Sequence, residues 1–306
     1  MIFRYAYHGG VWIDLEHPTE EEVRRTTEEF SISERLETEL FSPTPAPLVA
    51  SDEGVTFLAV HFPTQGVVDG NIRDQEIDFI VGETFIITVR YEVIAPLHRL
   101  RKLLETEKLI SPHHTTSTEM LLEILFAHLS TSVRDHIHTV ANRLVHTEQD
   151  MFNGLERTTV RSISNISREF LHIEASLANQ EAPLNRFLKA LASRKYFGTS
   201  FADRAERILA ERTQVAQLAK TYRAVATELR ETNASLLEAR QNEIMKTLTV
   251  ITFGVMPLEL IALIFGMHAL GAPLEQNPNA FWIILTLMLG VGGLMMVFFS
   301  RRHWLS

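Results

Sequence analysis

The sequence predicts an α+β amino-terminal domain, a long helical stalk and two membrane-spanning helices at the carboxyl end. Three observations carry this expectation. The early part of the chain alternates between strand and helix patterns. From Ser117 onward, apolar residues recur at helical spacing with few breaks. The tail is almost uncharged, although 22% of the 306 residues are charged. The expected boundaries are 1–112 for the α/β domain, 113–247 for the stalk or coiled-coil region, and 248–306 for a two-span membrane domain with a short external loop at 268–280.

Within the first domain, "FRYAY" and "GVWIDL" read as strands joined in a hairpin at His8-Gly9-Gly10. "PTEEEVRRTTEEF" reads as a helix with Pro18 at its start. Its acids fall in the first turn, where they meet the positive end of the helix dipole. "TPAPLVAS", "GVTFLAVHFP", "IRDQEIDFIVG" and "ETFIITVRY" read as further strands, the last two joined by a tight turn at Gly82-Glu83. "VIAPLHRLRKLLETEK" returns to helix.

The stalk begins with a helix from about residue 116 to 152, whose apolar stripe is Leu122, Leu125, Leu129, Val133, Ile137, Val140 and Leu144. A second helix covers about 158–193, and "SRKYFGTS" interrupts the pattern. A third starts near Phe201 and meets no stop signal before Gly266. Its apolar positions Ile208, Val215, Leu218, Tyr222, Val225, Leu229 and Leu236 fall at steps of 3, 4 and 7, a heptad seam. Such a helix would be on the order of 100 Å long. It needs neighbours along its length, which predicts an oligomer.

The two terminal apolar runs, 248–267 and 281–299, are each long enough as helices to cross roughly 30 Å of hydrocarbon. Lys246 precedes the first run, Arg301 and Arg302 follow the second, and 269–280 contains no Lys or Arg. The positive-inside rule then puts both chain ends in the cytoplasm and the linker outside a bacterial-type inner (plasma) membrane. Trp282 and Trp304 suit the two interfaces. "MIFRYAYHGG" lacks an apolar core of signal-peptide length. Two spans cannot enclose a pore, so conduction would require copies around an axis. Glu259 is the one charged residue of the first span. A mid-span charge costs about 2.5–3.5 kcal/mol on insertion scales, so it is expected to face a cavity or a partner. Gly254 and Pro257 nearby are tolerated in membrane helices and can bend this one.

The formal net charge of -9 argues against a general nucleic-acid binder, which needs a basic footprint, and suits a protein that handles cations. The absence of cysteine excludes disulfides, thiolate metal sites and Cys nucleophiles. No Ser-His-Asp arrangement, phosphate-binding Gly loop or paired-carboxylate motif stands out, so the chain is not expected to be an enzyme or to hold a prosthetic group. Thirteen histidines occur. His128, His136, His138, His146 and His172 lie in the helical region, and His113-His114 in a loop. Asp135, His138, Asn142 and His146 share one helix face, a spacing able to bind transition metals. Without a His-Glu-x-x-His pattern, a solvated face is the expectation.

The segment "NEIMKTLTVITFGVMPLELIALIFGMH", followed by "FWIILTLMLGVGGLMMVFFSRRHWL", closely resembles the CorA family of magnesium and cobalt channels and its zinc-transporting ZntB relatives. At the front, "WIDLEHPTEEE" and "EIDFIVGETFIITVR" resemble the family's N-terminal domain. The resemblance implies a funnel-shaped homopentamer in the bilayer, with the first spans lining an axial pore for divalent cations. Matched without gaps, the family's pore face falls on Met245, Leu248, Thr252, Met256 and Glu259, and its pore-mouth signature on Gly266, Met267 and His268. The first five residues are separated by 3, 4, 4 and 3, which keeps them on one helix face. The apolar members would form constrictions that gate by dewetting.

Two departures from the family pattern matter. Its signature ends in Asn, and here His268 stands in that place. An imidazole ligand suits Zn, Ni or Co better than Mg, and a protonated ring would repel cations. His268 and Glu259 are therefore the candidate metal-contacting residues. In addition, the family's metal-binding Asp in the stalk falls on Arg207, which cannot ligate a metal. Glu275 is the only carboxylate of the external loop. The alternative expectation is a membrane regulator or scaffold of this fold that does not conduct.

Overall fold

The computed structural model of the chain describes residues 2–52, 54–68, 71–110, 116–198, 200–267 and 278–301. Its contacts divide the chain into two compact units, Met1–Arg230 and Glu231–Ser306.

The first unit is built on a six-stranded sheet of order β1-β2-β6-β5-β4-β3. The strands are β1 (Ile2–Tyr7), β2 (Gly10–Glu16), β3 (Leu48–Asp52), β4 (Val55–Val68), β5 (Asn71–Val81) and β6 (Phe85–Arg90). β2 and β6 pair in parallel, and every other pair is antiparallel. The β1–β2 hairpin forms at the predicted place. Gly10 is obligatory there, because a Cβ would fall 1.7 Å from the Thr84 carbonyl oxygen, the atom that accepts the Val11 amide at 2.9 Å.

The central strands are buried on both faces. On one side Ile13, Phe57 and Ile87 pack with Val23, Leu36 and Leu40 from α1 (Glu20–Glu29), α2 (Glu34–Glu39) and the residue that follows α2. On the other side Phe79 stacks on Phe126 of α4 (Thr118–Asp150) with ring centroids 4.9 Å apart. Residues of both parities along these strands are therefore apolar, as expected for a covered sheet.

The helix predicted from Pro18 begins at Glu20. Thr19 is its N-cap, and a reciprocal capping box with Glu22 fixes the start, so Pro18 lies outside. The strand read from "TPAPLVAS" begins only at Leu48. Pro45 and Pro47 have no amide to give a sheet, which holds the preceding residues out of it. Helix α2 is not foreseen by the sequence reading.

After α3 (Ala95–Ile110), α4 and α5 (Glu156–Ala192) form a helical hairpin. A short π-type turn at Met151–Leu155 joins them, with Gly154 at φ 89°. Helix α6 covers Phe201–Gly266, matching the predicted start and stop. In its first part the buried positions include Phe201, Ala205, Ile208, Arg212, Val215, Ala219, Ala226 and Leu229, with Tyr222 half-buried. Leu218 is only half-buried and Val225 is exposed. The seam inside the protomer thus keeps Ile208, Val215 and Leu229 as expected, with Ala219 and Ala226 buried in place of Leu218 and Val225. Phe170 of α5 stacks on Tyr222 with centroids 5.8 Å apart and planes 11° off parallel. With so large a ring pair on the seam, close approach favours small side chains beside it.

Candidate ion pathway

The second unit holds the end of α6 and the whole of α7 (Ala280–Arg301). Both helices are long and apolar enough to cross a membrane. Along the terminal part of α6, Gly254, Pro257, Leu258, Ile261 and Phe265 are half-buried and Val250 is buried. A Cβ placed on Gly292 of α7 would lie 3.9 Å from the Leu258 side chain, and Phe299 of α7 is buried. Leu258 thus faces α7, and the other buried and half-buried positions lie on its side of the helix.

The predicted stripe lies on the other side. Met245, Leu248, Thr252, Met256 and Glu259 are all exposed, and Gly266 and Met267 remain so at the helix end. At 100° per residue the stripe is centred about 170° from the α7-facing side. The sequence reading missed Leu263, at 66% the most exposed large apolar residue of α6. It follows Glu259 by four residues and precedes Gly266 by three, so the same spacing argument would have found it. His268 and Glu275 lie outside the described residues, as do His113, His114, Arg302 and Trp304.

The stripe's chemistry is sparse and specific. The Thr252 hydroxyl donates to the Leu248 carbonyl at 2.9 Å, which directs its lone pairs away from the backbone. Glu259 is the stripe's one titratable group. A carboxylate exposed on an apolar helix is an unsatisfied charge in a bilayer unless water, a cation or another copy of the chain faces it.

Elsewhere, the helix-face set Asp135, His138, Asn142 and His146 is exposed, and no group of three or more potential metal ligands occurs among the described residues. His136 is buried against Glu169, with Nε2 3.0 Å from its carboxylate. Arg207 is held by both oxygens of Glu123 on α4, its Nε 2.6 Å from one and its Nη2 3.1 Å from the other, which Arg204 shares. That pairing, more than any other interaction, keeps the Glu123 carboxyl below its ordinary range.

An α/β unit followed by long helices, with two apolar helices at the end and one carboxylate on an otherwise apolar exposed stripe, defines a class: two-span membrane proteins that carry a large soluble part. Residues 7–302 match the model of the family described as "CorA-like Mg2+ transporter protein", and the chain belongs to that family, one of transporters and not enzymes. It is 24% identical over 298 residues to the cobalt/magnesium transport protein CorA of Methanocaldococcus jannaschii, covering 96% of this chain and 91% of that protein. Among solved structures, the complete CorA magnesium transporter of the same organism superposes with a TM-score of 0.81 at 21% identity, over 98% of this chain and 93% of that one. The ZntB cytoplasmic domain from Vibrio parahaemolyticus matches with a TM-score of 0.60 at 12% identity, over 76% and 89% of the two chains. These likenesses bear out the predicted α+β domain, helical stalk and paired apolar helices.

Proposed function

We propose that the chain carries divalent metal cations across a membrane, along the axis of a homo-oligomer lined by Met245, Leu248, Thr252, Met256, Glu259 and Leu263. The observation that carries this reading is Glu259, exposed on the stripe turned away from α7. Copies assembled with these stripes inward would exchange lipid for water and ions at each carboxylate. A pentamer is the assembly implied by the family resemblance. On this reading the three-part division at 112 and 247 gives support to the first two parts, and conduction to residues 248–306 with Met245 at the entrance.

The relatives, a cobalt/magnesium transport protein and a magnesium transporter, favour magnesium and cobalt as cargo. His268 at the mouth argues for cobalt, nickel or zinc as well, since imidazole nitrogen prefers these softer ions. Lys246 and Arg301 flank the spans on one side and support cytoplasmic ends in an inner membrane.

Flux into proteoliposomes containing the full chain tests the reading, with Mg, Co, Ni and Zn supplied in turn. Glu259→Gln is expected to reduce flux about tenfold or more, with Glu259→Asp retaining most of it, because the charge attracts the cation into a low-dielectric path. Flux of none of the four ions would favour a non-conducting membrane regulator of the same fold.

A further inference from the structure

Asp78 lies in the middle of β5, opposite Ala59 of β4 and Val89 of β6, and no part of it reaches solvent. Ala59 and Val89 belong to the core beneath α1 and α2, so Asp78 faces that core as well. A carboxylate in such a place needs a cation or several donors. Tyr91 supplies one hydrogen, its hydroxyl 2.8 Å from Asp78 Oδ2. The same hydroxyl lies 3.1 Å from the carbonyl oxygen of Leu40, the C-cap of α2, so one hydrogen is offered to two acceptors. Asp78 Oδ1 has no donor among the described residues, and the other group bonded to this carboxyl is the Glu76 carboxylate, itself an acceptor.

The charges around Asp78 offer no relief. Glu76 of β5 and Glu39 of α2 both act on it. On α2, Glu37 is engaged by Thr27 and by Arg24 of α1. Arg90 of β6 lies on the opposite face, against Asp14. Asp74 of β5 meets His172 of α5 at 2.8 Å. On β4, His61 is spent on Glu76, with Nε2 3.2 Å from Oε2. Glu76 also accepts the Thr44 amide at 2.8 and 2.9 Å and the Thr44 hydroxyl at 2.9 Å. Of the two facing acids, Glu76 therefore has the donors that keep a carboxylate ionised, and Asp78 does not.

We propose that Asp78 is an un-ionised carboxylic acid, and that its proton, held between Asp78 and Glu76, clasps the chain from Leu40 to Thr44 onto the sheet. With the proton in place Asp78 donates to Glu76, Tyr91 donates to Leu40, and Glu76 keeps Thr44. When the proton leaves for solvent, the hydrogen between the two carboxyl groups is gone and two negative charges face each other in a dry site. The new carboxylate also draws the single Tyr91 hydrogen, and the Leu40 carbonyl loses its donor. Proton loss thus removes named bonds at both ends of the segment.

The sign of the effect follows from the same groups. Burial, then the Glu76 charge, push the Asp78 carboxyl well above its ordinary value of 3.8. Its contribution is fully present below that value, declines above it, and is gone once pH passes the raised value. His61, raised by its bond to Glu76, adds a loss of the same sign only above its ordinary 6.5. Burial alone would raise Glu76, but bonds from His61 and Thr44 hold it lowered, so it acts only below its ordinary 4.5 and with the opposite sign. Between about pH 5 and about pH 6 the Asp78 proton is the one that matters.

Infrared spectroscopy of the full-length protein in detergent tests the proton directly at about pH 6, where ordinary carboxyl groups are ionised. Wild type is expected to show an un-ionised carboxyl band that shifts in heavy water and that Asp78→Asn lacks. Identical spectra in that region overturn the proposal. Hydrogen–deuterium exchange of a peptide covering 39–47 tests the clasp. Protection against the intrinsic rate should fall about tenfold between about pH 5 and about pH 6, since each opening releases one proton. Asp78→Asn keeps a donor toward Glu76 and cannot ionise, so its protection should be equal at both, as should that of a wild-type peptide within α4. A flat wild-type profile, or a fall that survives Asp78→Asn, is fatal. Should Asp78→Asn not fold, Tyr91→Phe carries the comparison: without the phenol, protection of 39–47 should already be reduced at the lower pH, and unchanged protection there overturns the clasp.

Discussion

Arg90 and Asp14 meet inside the sheet with neither side chain reaching solvent. The guanidinium Nη2 is 2.9 Å from Asp14 Oδ2 and Nε is 3.2 Å from Oδ1. Asp14 also accepts from Thr88 at 2.8 Å, and Trp12 donates to the Thr88 hydroxyl at 3.0 Å. Arg90 reaches Glu16 as well, and Arg101 stacks over Phe3 at 4.3 Å while its Nη1 approaches Asp14 to 3.5 Å. The parallel β2–β6 register sets Asp14 beside Thr88 and Glu16 beside Arg90, which lets one guanidinium bridge both acids.

Removing one partner leaves the other short of its principal counter-charge in a dry place. Asp14→Ala is expected to cost about 3 kcal/mol, because buried Arg90 loses the acid that holds its Nε and Nη2 and keeps only Glu16 as a carboxylate partner. Replacing both residues, as Asp14→Leu with Arg90→Met, should cost clearly less than the single change. Thermal unfolding of the detergent-solubilised chain compares the two, and a double variant no more stable than Asp14→Ala would show that the pair does more than satisfy itself.

The buried seam of α6 makes a second expectation. Ala219 is fully buried. Ala219→Leu forces extra volume into a filled space and is expected to cost about 1–3 kcal/mol. Gln217→Ala, at an exposed position of the same helix, should leave the unfolding temperature unchanged. Equal effects of the two changes would mean that Ala219 does not lie on the packed side of the helix.

Selectivity offers a third. If the imidazole of His268 faces the ions, His268→Asn replaces a nitrogen ligand with an amide oxygen and should shift flux toward Mg relative to Zn or Co. Competition between Mg and Co in the same vesicles measures it, and an unchanged ratio would place the ring away from the path.

Much of this molecule was legible because its signals are local. Gly10 and the 248–267 and 281–299 runs could be read from neighbouring residues alone, since periodicity and continuous apolar character need no knowledge of distant partners. The exposed stripe of α6 came from the family resemblance, and its steps of 3 and 4 residues agreed with a single helix face. What escaped has other causes. α2 is six residues long, too short for a helical period to show. Thr19 outcompeted Pro18 because a capping box satisfies two amides reciprocally, a geometric effect that the proline alone did not reveal. The Asp14–Arg90 pair joins residues far apart in sequence, which only the β2–β6 register makes neighbours. Ala219 and Ala226 were passed over because a hydrophobic pattern weighs large side chains, whereas close helix contact selects small ones.

The opposed faces of α6 in the second unit have an evolutionary consequence. Val250, Leu258 and Phe265 belong to the packing side, and Met245, Thr252, Met256 and Glu259 to the exposed side. No residue serves in both sets. If the exposed side lines the proposed path, substitutions there would alter the cargo while leaving the packing side, and with it the fold, untouched.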